Sequence, residues 1–335
     1  SSVATSDFTQ SQQVGTSTRK KGNHYKAFMG FYEMLSRSHI QFDIIDEFNV
    51  KDGSINMYDL VILPTCGCMC DQTIKGIKEY VKNGGNIIST YDTGFYEQKG
   101  QYAGAERLGD VLGIESADEI VEYKIAGTGF QRVKEDHWCS HGLDATLMPA
   151  PTLAIRTTPS SGAEIAATYL DPMAGRYVAL PDKGYAGMII NSYGKGTSFY
   201  IAGTIGEYYS EKTHPVLRQL VNNIVRRLSS PVLVSDTLGS VEFVLRSQNV
   251  EDGNGGSKKR YILHAINMTG DMGRPIEKIA PLYDVNVTLN LDINVARITN
   301  IRDIERHDKV NFSQTGNEVK ITIPKVDDYE VIVIE

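Results

Sequence analysis

The stretch Tyr58-Asp59-Leu60-Val61-Ile62-Leu63-Pro64 carries almost no polar alternation. A strand with one wet face alternates apolar and polar residues. One without alternation is buried on both faces, as in a parallel sheet covered by helices. After the loop Thr65–Cys70 comes Asp71, which can cap a helix with its carboxylate. Ile74, Ile77, Tyr80 and Val81 then recur at helical spacing. Asn83-Gly84-Gly85 supplies the left-handed residue on which helices stop. Asn86-Ile87-Ile88-Ser89-Thr90 is the next strand. Strand, helix and strand in this order predict a right-handed crossover between two parallel strands of one sheet.

The remainder extends this unit in both directions. Residues 1–23 are rich in Ser, Thr and Gln without periodicity and read as a disordered arm or linker. Order is expected from His24, where Tyr25, Phe28, Met29, Phe31, Tyr32 and Leu35 predict a helix. Gln41–Ile45 reads as a short strand, and Ala105–Leu112 as a short helix closed by Gly113. Over 120–200 the pieces become strand-like: Ile120–Lys124, Glu164–Tyr169, Tyr177–Leu180, Gly187–Asn191 and Thr197–Ile201. Turns at Asp171-Pro172, Pro181-Asp182 and Gly194-Lys195-Gly196 separate them. Pro215 opens a helix with Val216, Leu217, Leu220, Val221, Ile224, Val225 and Leu228 on one stripe. Ser229-Ser230-Pro231 ends it. A chain of 335 residues accommodates two domains, and the boundary is placed there: 24–230, then 231–335. The second part reads as strands only, at Val241–Leu245, Tyr261–Ile266, Val285–Leu291, Val319–Ile323 and Val331–Ile334. With turns at Gly253-Asn254-Gly255-Gly256 and Thr315-Gly316-Asn317, it predicts a β-sandwich. The last strand reaches Glu335, which reads as a natural end.

Charge and composition narrow the partners. A net charge of -7 provides no basic excess for nucleic acid or an anionic membrane, and Arg19-Lys20-Lys21 reads as a solvated linker. No apolar run reaches the ~20 residues of a membrane span. The first residues are polar where a signal peptide is apolar. The chain does not open with Met, so it reads as part of a longer one, and the compartment stays open. Three of the 4 cysteines stand in Cys66-Gly67-Cys68-Met69-Cys70, the fourth at Cys139. The spacing lacks the CxxC of zinc knuckles, so free thiols on a loop are expected rather than a metal cluster. No metal and no cofactor is expected.

Three stretches together resemble the trimerisation domain, domain B, of the family 42 β-galactosidases and related glycoside hydrolases. One is Tyr58–Pro64 with the loop and helix to Tyr80-Val81-Lys82-Asn83-Gly84-Gly85. The second, Tyr91-Asp92-Thr93-Gly94-Phe95-Tyr96-Glu97-Gln98-Lys99-Gly100, is similar to the family's acidic-Thr-Ser-x-Tyr-acidic pattern with its closing Gly. The third is Gly194-Lys195-Gly196 and Tyr200-Ile201-Ala202-Gly203, then His214-Pro215 and Leu217-Arg218-Gln219-Leu220-Val221-Asn222-Asn223. The resemblance implies an α/β flavodoxin-like domain, related to class I glutamine amidotransferases, followed by an all-β sandwich domain. It implies a homo-oligomer, a trimer above all. In that family two catalytic glutamates lie on a TIM barrel N-terminal to the segment seen here. A barrel needs about 250 residues and eight strand–helix units, which are absent. The chain is therefore expected to be a non-catalytic assembly region, its upstream barrel missing.

The shared fold raises a glutaminase reading. Amidotransferases hold a Cys on a sharp turn, G-x-C-x-G. The corresponding Thr90-Tyr91-Asp92-Thr93-Gly94 puts Asp92 there, which cannot form a thioester. Cys66, Cys68 and Cys70 fall one strand earlier and are candidate reactive thiols, provided a His activates one of them. His137 and His141 flank Cys139, but Trp138 and Gly142 predict a turn with structural histidines rather than a zinc-binding helix face. His214 reads as a helix-entry residue and His264 as a core histidine. Tyr96, Glu97, Tyr208 and Tyr209 are placed on loops after strands, where open α/β sheets bind ligands. With Asp92 they are candidates for a subunit interface or a sugar-site rim, since rings and carboxylates hold sugars. Ordinary packing is the alternative for Tyr208 and Tyr209. A stand-alone carbohydrate-binding protein and a cysteine-dependent amidotransferase-like hydrolase are the competing functions.

Overall fold

The computed structural model describes Lys20 and residues 22–123, 129–175, 177–251, 256–270, 277–301 and 307–335. They fall into two compact units. The first runs to Met34 and resumes over Ile44–Ser230; the second comprises Leu35–Asp43 and Pro231–Glu335. Most of the expected N-terminal arm lies outside the described residues, but Lys20, Gly22 and Asn23 do not behave as an arm. Asn23 caps the first helix, α1 (His24–Ser36), through its Oδ1, which accepts from Lys26 N at 2.9 Å. Helix α1 buries Ala27, Phe31 and Met34.

The strand–helix–strand unit forms, but Asp71 does not cap its helix: Cys70 takes the N-cap position without a side-chain hydrogen bond, and the Asp71 carboxylate, inside the first turn, pairs with Arg107 instead. β1 (Leu60–Leu63) leads to α3 (Asp71–Lys82), after a five-residue α2 (Glu47–Lys51), and then to β2 (Asn86–Thr90). The two strands pair in parallel from Leu60↔Asn86 to Leu63↔Ser89. Gly84 N donates to Val81 O and Gly85 N to Tyr80 O, with Gly84 at φ +121°, a Schellman stop. The Tyr80 hydroxyl donates to Tyr58 O at 2.8 Å, pinning the helix to the start of β1. The expected helix Ala105–Leu112 is broken in two. A 3-10 turn (Ala105–Arg107) precedes α4 (Gly109–Leu112), because Leu108 between them has left helical geometry with φ −127°.

The strands that follow are β3 (Ile114–Glu122), β4 (Phe130–Val133), β5 (Leu147–Pro149), β6 (Leu153–Pro159), β7 (Glu164–Leu170), β8 (Gly184–Tyr193) and β9 (Gly196–Ile201). Two helices close the unit, α5 (Ile205–Lys212) and α6 (Pro215–Leu228). The sheet runs β1-β2-β9-β8-β7-β4-β5, with β3 on β6 and β6 on β8. Only β1, β2 and β9 run parallel; the other pairings between these strands are antiparallel. The domain is α/β, but its sheet is mixed. The physical reason is connection length: β8 turns into β9 through Gly194-Lys195, and such a hairpin cannot make a parallel crossover. Tyr177–Leu180 is not a strand. It belongs to the β7–β8 connection, with Tyr177 99% exposed.

The second unit is two antiparallel sheets over one aliphatic core. One sheet joins β10 (Leu233–Ser235), β13 (Leu282–Asn290), β17 (Glu318–Val326) and β16 (Phe312–Thr315). The other joins β11 (Val241–Glu251), β12 (Ser257–Asn267), β18 (Tyr329–Ile334), β14 (Ile298–Ile301) and β15 (His307–Lys309). In β17 the burial alternates, Val319, Ile321 and Ile323 inward and Glu318, Lys320 and Thr322 outward. Leu263, Val287, Leu289, Ile332 and Ile334 meet them in the same core. Gly316, at φ +59°, turns β16 into β17. Of the Gly253–Gly256 turn, 253–255 lie outside the described residues. Gln41–Ile45, read as a strand, joins no sheet. Instead the Gln41 side chain stands in for one, its Nε2 donating to Phe243 O and its Oε1 accepting from Leu245 N, both at 2.8 Å. One amide thus covers part of the β11 edge. His264 is not a core residue: it is half-buried, with Nδ1 2.5 Å from the Tyr329 hydroxyl and the two rings stacked.

Candidate functional site

The parallel strands β1, β2 and β9 end side by side, and their carboxyl ends define the crevice in which open α/β sheets hold ligands. In this protein the ends are stitched together by hydroxyls. Thr65 N donates to Thr90 Oγ1 at 2.8 Å, and Thr93 Oγ1 accepts from Cys66 N while donating to Thr90 O at 2.7 Å. Thr65, Thr90, Thr93 and Thr204 are fully buried. Thr65 and Tyr91 sit at φ +52° and +53°, a conformation non-glycine residues adopt rarely. Both are held there from outside: Tyr91 N donates to Ile201 O, and the Tyr200 hydroxyl to Tyr91 O at 2.7 Å.

A second device locks the loops beyond the strands. The Arg107 guanidinium is 10% exposed and reaches Gly94 O (3.1 Å), Tyr96 O (2.5 Å), Met69 O (2.9 Å) and the Asp71 carboxylate (2.8 Å). It joins the loop after β1 to the loop after β2, where Cys68 and Tyr96 form an isolated parallel bridge. Five donors in a planar fork suit several carbonyls at once, which a lysine could not match.

The five rim candidates are not gathered on one surface. Asp92, Tyr96 and Tyr209 are buried, at 1%, 1% and 2% exposure. Tyr96 packs edge-on against Tyr102. Tyr208 and Tyr209 lie on helix α5 rather than on a loop. Glu97 is exposed and Tyr208 half-buried, so these two alone reach solvent. The hydroxyl of Tyr208 is held above its usual range by burial.

The thiols differ from one another. All four cysteines are free. Cys68 is buried, and Cys70, half-buried, lies 3.2 Å from the Thr73 hydroxyl. Cys66 is buried, its Sγ 3.9 Å from His24 Nδ1. Burial pushes this thiol up, but the His24 imidazole leads the opposing influences and the net direction is down. His24 Nδ1 also lies 2.8 Å from Pro64 O. A carbonyl only accepts, so Nδ1 carries its proton there and is not free to take one from Cys66. The strained turn at Tyr91 runs into turns rather than a helix, so the strand–turn–helix of a nucleophile elbow is missing. Cys139 is also inert. Burial pushes its thiol up to about 12, and His137 Nδ1 lies 2.9 Å from it across a 3-10 turn, Trp138–Ser140. Among the described residues no three His, Cys, Asp or Glu side chains converge as a metal site requires, and no helix is long and apolar enough to cross a membrane.

Of the residues that organise the site, Thr90 and Thr93 stand in the quoted turn Thr90-Tyr91-Asp92-Thr93-Gly94, whereas His24, Arg107, Thr65 and Thr204 carry no motif. For His24 the legible sign was its place at the start of an amphipathic helix.

Comparison with known proteins fits this geometry. Residues 4–229 match the family model described as the beta-galactosidase trimerisation domain. Beta-galactosidase LacA of Lactobacillus acidophilus is 27% identical over 254 residues, 74% of this chain and 32% of its own length. Beta-galactosidase BbgII of Bifidobacterium bifidum is 22% identical over 58% of this chain and 26% of its own. This chain thus spans about a third of those relatives. Alpha-L-fucosidase isoenzyme 2 from Paenibacillus thiaminolyticus shares the fold over 92% of this chain and 45% of that one, at TM-score 0.69 and 20% identity. Beta-galactosidase from Bacillus circulans sp. alkalophilus does so over 94% and 38%, at TM-score 0.61 and 18% identity. By the match over 4–229, the chain belongs to the beta-galactosidase trimerisation domain family.

Proposed function

We propose that this chain is the non-catalytic assembly region of a larger, β-galactosidase-like glycoside hydrolase, and that it associates with copies of itself, as a trimer. The observation that carries the reading is the family match over 4–229, joined to a stripe of apolar side chains that one helix turns outward. On α1, Tyr25, Met29 and Tyr32 are 53%, 37% and 36% exposed, while Ala27, Phe31 and Met34 on the other side are buried. Large apolar groups turned outward at helical spacing are the chemistry of a protein interface. Glycosidic bonds in the whole protein are cleaved by two carboxylates supplied elsewhere. Glu97 and Tyr208, the two candidates that reach solvent, extend the reading: they face a neighbouring subunit's sugar site. The flavodoxin and amidotransferase kinship of the fold belongs to the same proposal and rests on the β1-α3-β2 unit with β9. The cysteine-hydrolase reading is weakened at Cys66, where the neighbouring His24 Nδ1 is engaged by Pro64 O.

The test is the mass of the chain in solution by light scattering. A trimer is expected. The double substitution Tyr25→Glu and Met29→Glu should convert it to a monomer with unchanged circular dichroism. A native chain that is monomeric at all concentrations, or a double variant that stays trimeric, would remove α1 as the interface.

A further inference from the structure

The crevice over β1, β2 and β9 is already filled, and by this chain's own backbone. Gly22 lies across it. A Cβ built on Gly22 would sit 2.6 Å from Thr65 Cγ2, 3.2 Å from Tyr91 Cδ1 and 3.3 Å from Thr204 Cγ2, side chains of the segments that follow β1, β2 and β9. Only glycine fits so close to a β-branched side chain whose rotamer is itself restricted. The flanking residues are held by directed bonds. The Tyr91 hydroxyl donates to Lys20 O at 2.8 Å, Asn23 N donates to Glu207 Oε2 at 2.8 Å, and His24 Nδ1 donates to Pro64 O at 2.8 Å. Lys20 pairs with Glu122 as well. These contacts draw on the loops after β1, β2 and β9, on β3 and on α5.

We propose that the carboxyl-end crevice is a peptide seat, filled in cis by Gly22-Asn23-His24, and that this seat both closes the fold's usual small-molecule position and keeps the Cys66 thiol from reagents. Its recognition elements are polypeptide chemistry throughout: space for a residue without a side chain, a carboxylate for a backbone N–H, a phenol for a backbone carbonyl, and a carbonyl for an imidazole. The occupant is this chain's own segment, because the structure holds it there. The inference does not rest on the assembly reading, since it concerns the closed side of the sheet and not the outward stripe of α1.

Three of the four thiols, Cys66, Cys70 and Cys139, make the test internal to one molecule. The intact chain is treated with iodoacetamide and each cysteine is followed by peptide mapping. In the native protein Cys70 should label, and Cys66 and Cys139 should not. Gly22→Val forces the segment off Thr65, and Cys66 labelling should rise about tenfold relative to Cys70 as the seat opens locally, with Cys139 still protected. Glu207→Gln keeps shape and weakens only the bond to Asn23 N; it should raise Cys66 labelling by about threefold. An unchanged Cys66-to-Cys70 ratio in Gly22→Val overturns the proposal. So does a rise shared equally by Cys66 and Cys139, because that reports global opening. Should Gly22→Val not fold, the same ratios in Glu207→Gln decide.

Discussion

The two units solve burial in different ways. The second keeps a core of Leu, Ile and Val across two sheets, and strand alternation suffices to build it. The first gathers a cluster of buried polar groups at the ends of three parallel strands: Thr65, Thr90, Asp92, Thr93 and Thr204 are all at 1% exposure or less. Backbone groups leaving the ends of parallel strands have no ladder partner. Side-chain hydroxyls, a guanidinium and a folded-in segment of chain supply what the sheet does not. Stability in the second unit is therefore spread over many interchangeable contacts. The first has an apolar core as well, but its strand ends depend on a few residues that cannot be exchanged.

The largest effect that would break this contrast is expected at Arg107. Arg107→Met keeps the stem but takes the guanidinium from three loop carbonyls, of which Tyr96 O keeps Met69 N as a donor, and should lower stability by about 3–5 kcal/mol. The only tryptophan, Trp138, packs edge-on against Phe199 in the same unit and reports its unfolding. A shift of under 1 kcal/mol in the urea transition followed by its fluorescence would mean that the clamp is ornamental. In the second unit Ile323→Ala should cost about 2–4 kcal/mol as a cavity. The check is hydrogen exchange at the β17 amides, which should speed up accordingly. Equal exchange in both proteins would mean that the core collapses around the gap.

The smallest effects sharpen the contrast through pH. Burial holds the Glu207 carboxyl, in the first unit, above the ordinary 4.5. Its folded form binds the proton more tightly than the unfolded chain does, so its contribution to stability is larger at low pH. That contribution is lost as pH rises from 4.5 through the raised value. In the second unit the hydrogen bond from Arg297 pulls Glu335 below 4.5. Its contribution is present above 4.5 and lost as pH falls through the lowered value. Glu207→Gln should thus gain stability relative to native as pH rises through this window, and Glu335→Gln should lose it. Urea midpoints between pH 3 and pH 7 measure both; slopes of the same sign would contradict the assignment.

Local pattern made much of the fold legible. The unalternating Leu60–Leu63, the periodic and glycine-stopped helix after it, and the alternating Val319–Ile323 each specify their element because the information lies within one turn or one pleat. The resemblance carried by Tyr58–Gly85, Tyr91–Gly100 and the stretch from Gly194 pointed to the family that residues 4–229 match. The site was far less legible. Tyr96 and Tyr209 have the composition of a sugar rim, yet both face inward. Whether an aromatic is buried depends on which helix or loop covers it, not on its neighbours in sequence.

What the sequence by itself determined is the set of elements, their order, and the parallel pairing of β1 with β2, because periodicity and capping act over a few residues. What only the tertiary structure decided is where distant segments meet. His24 lies beside Cys66 across 42 positions, Arg107 reaches Met69 across 38, and Gly22 seats against Thr204. Gln41 takes the place of a strand partner for β11, 202 positions from Phe243. Each contact exists because a backbone group at a sheet end or edge needed a partner once the chain had folded. Which residue arrives to satisfy it follows from the path of the whole chain.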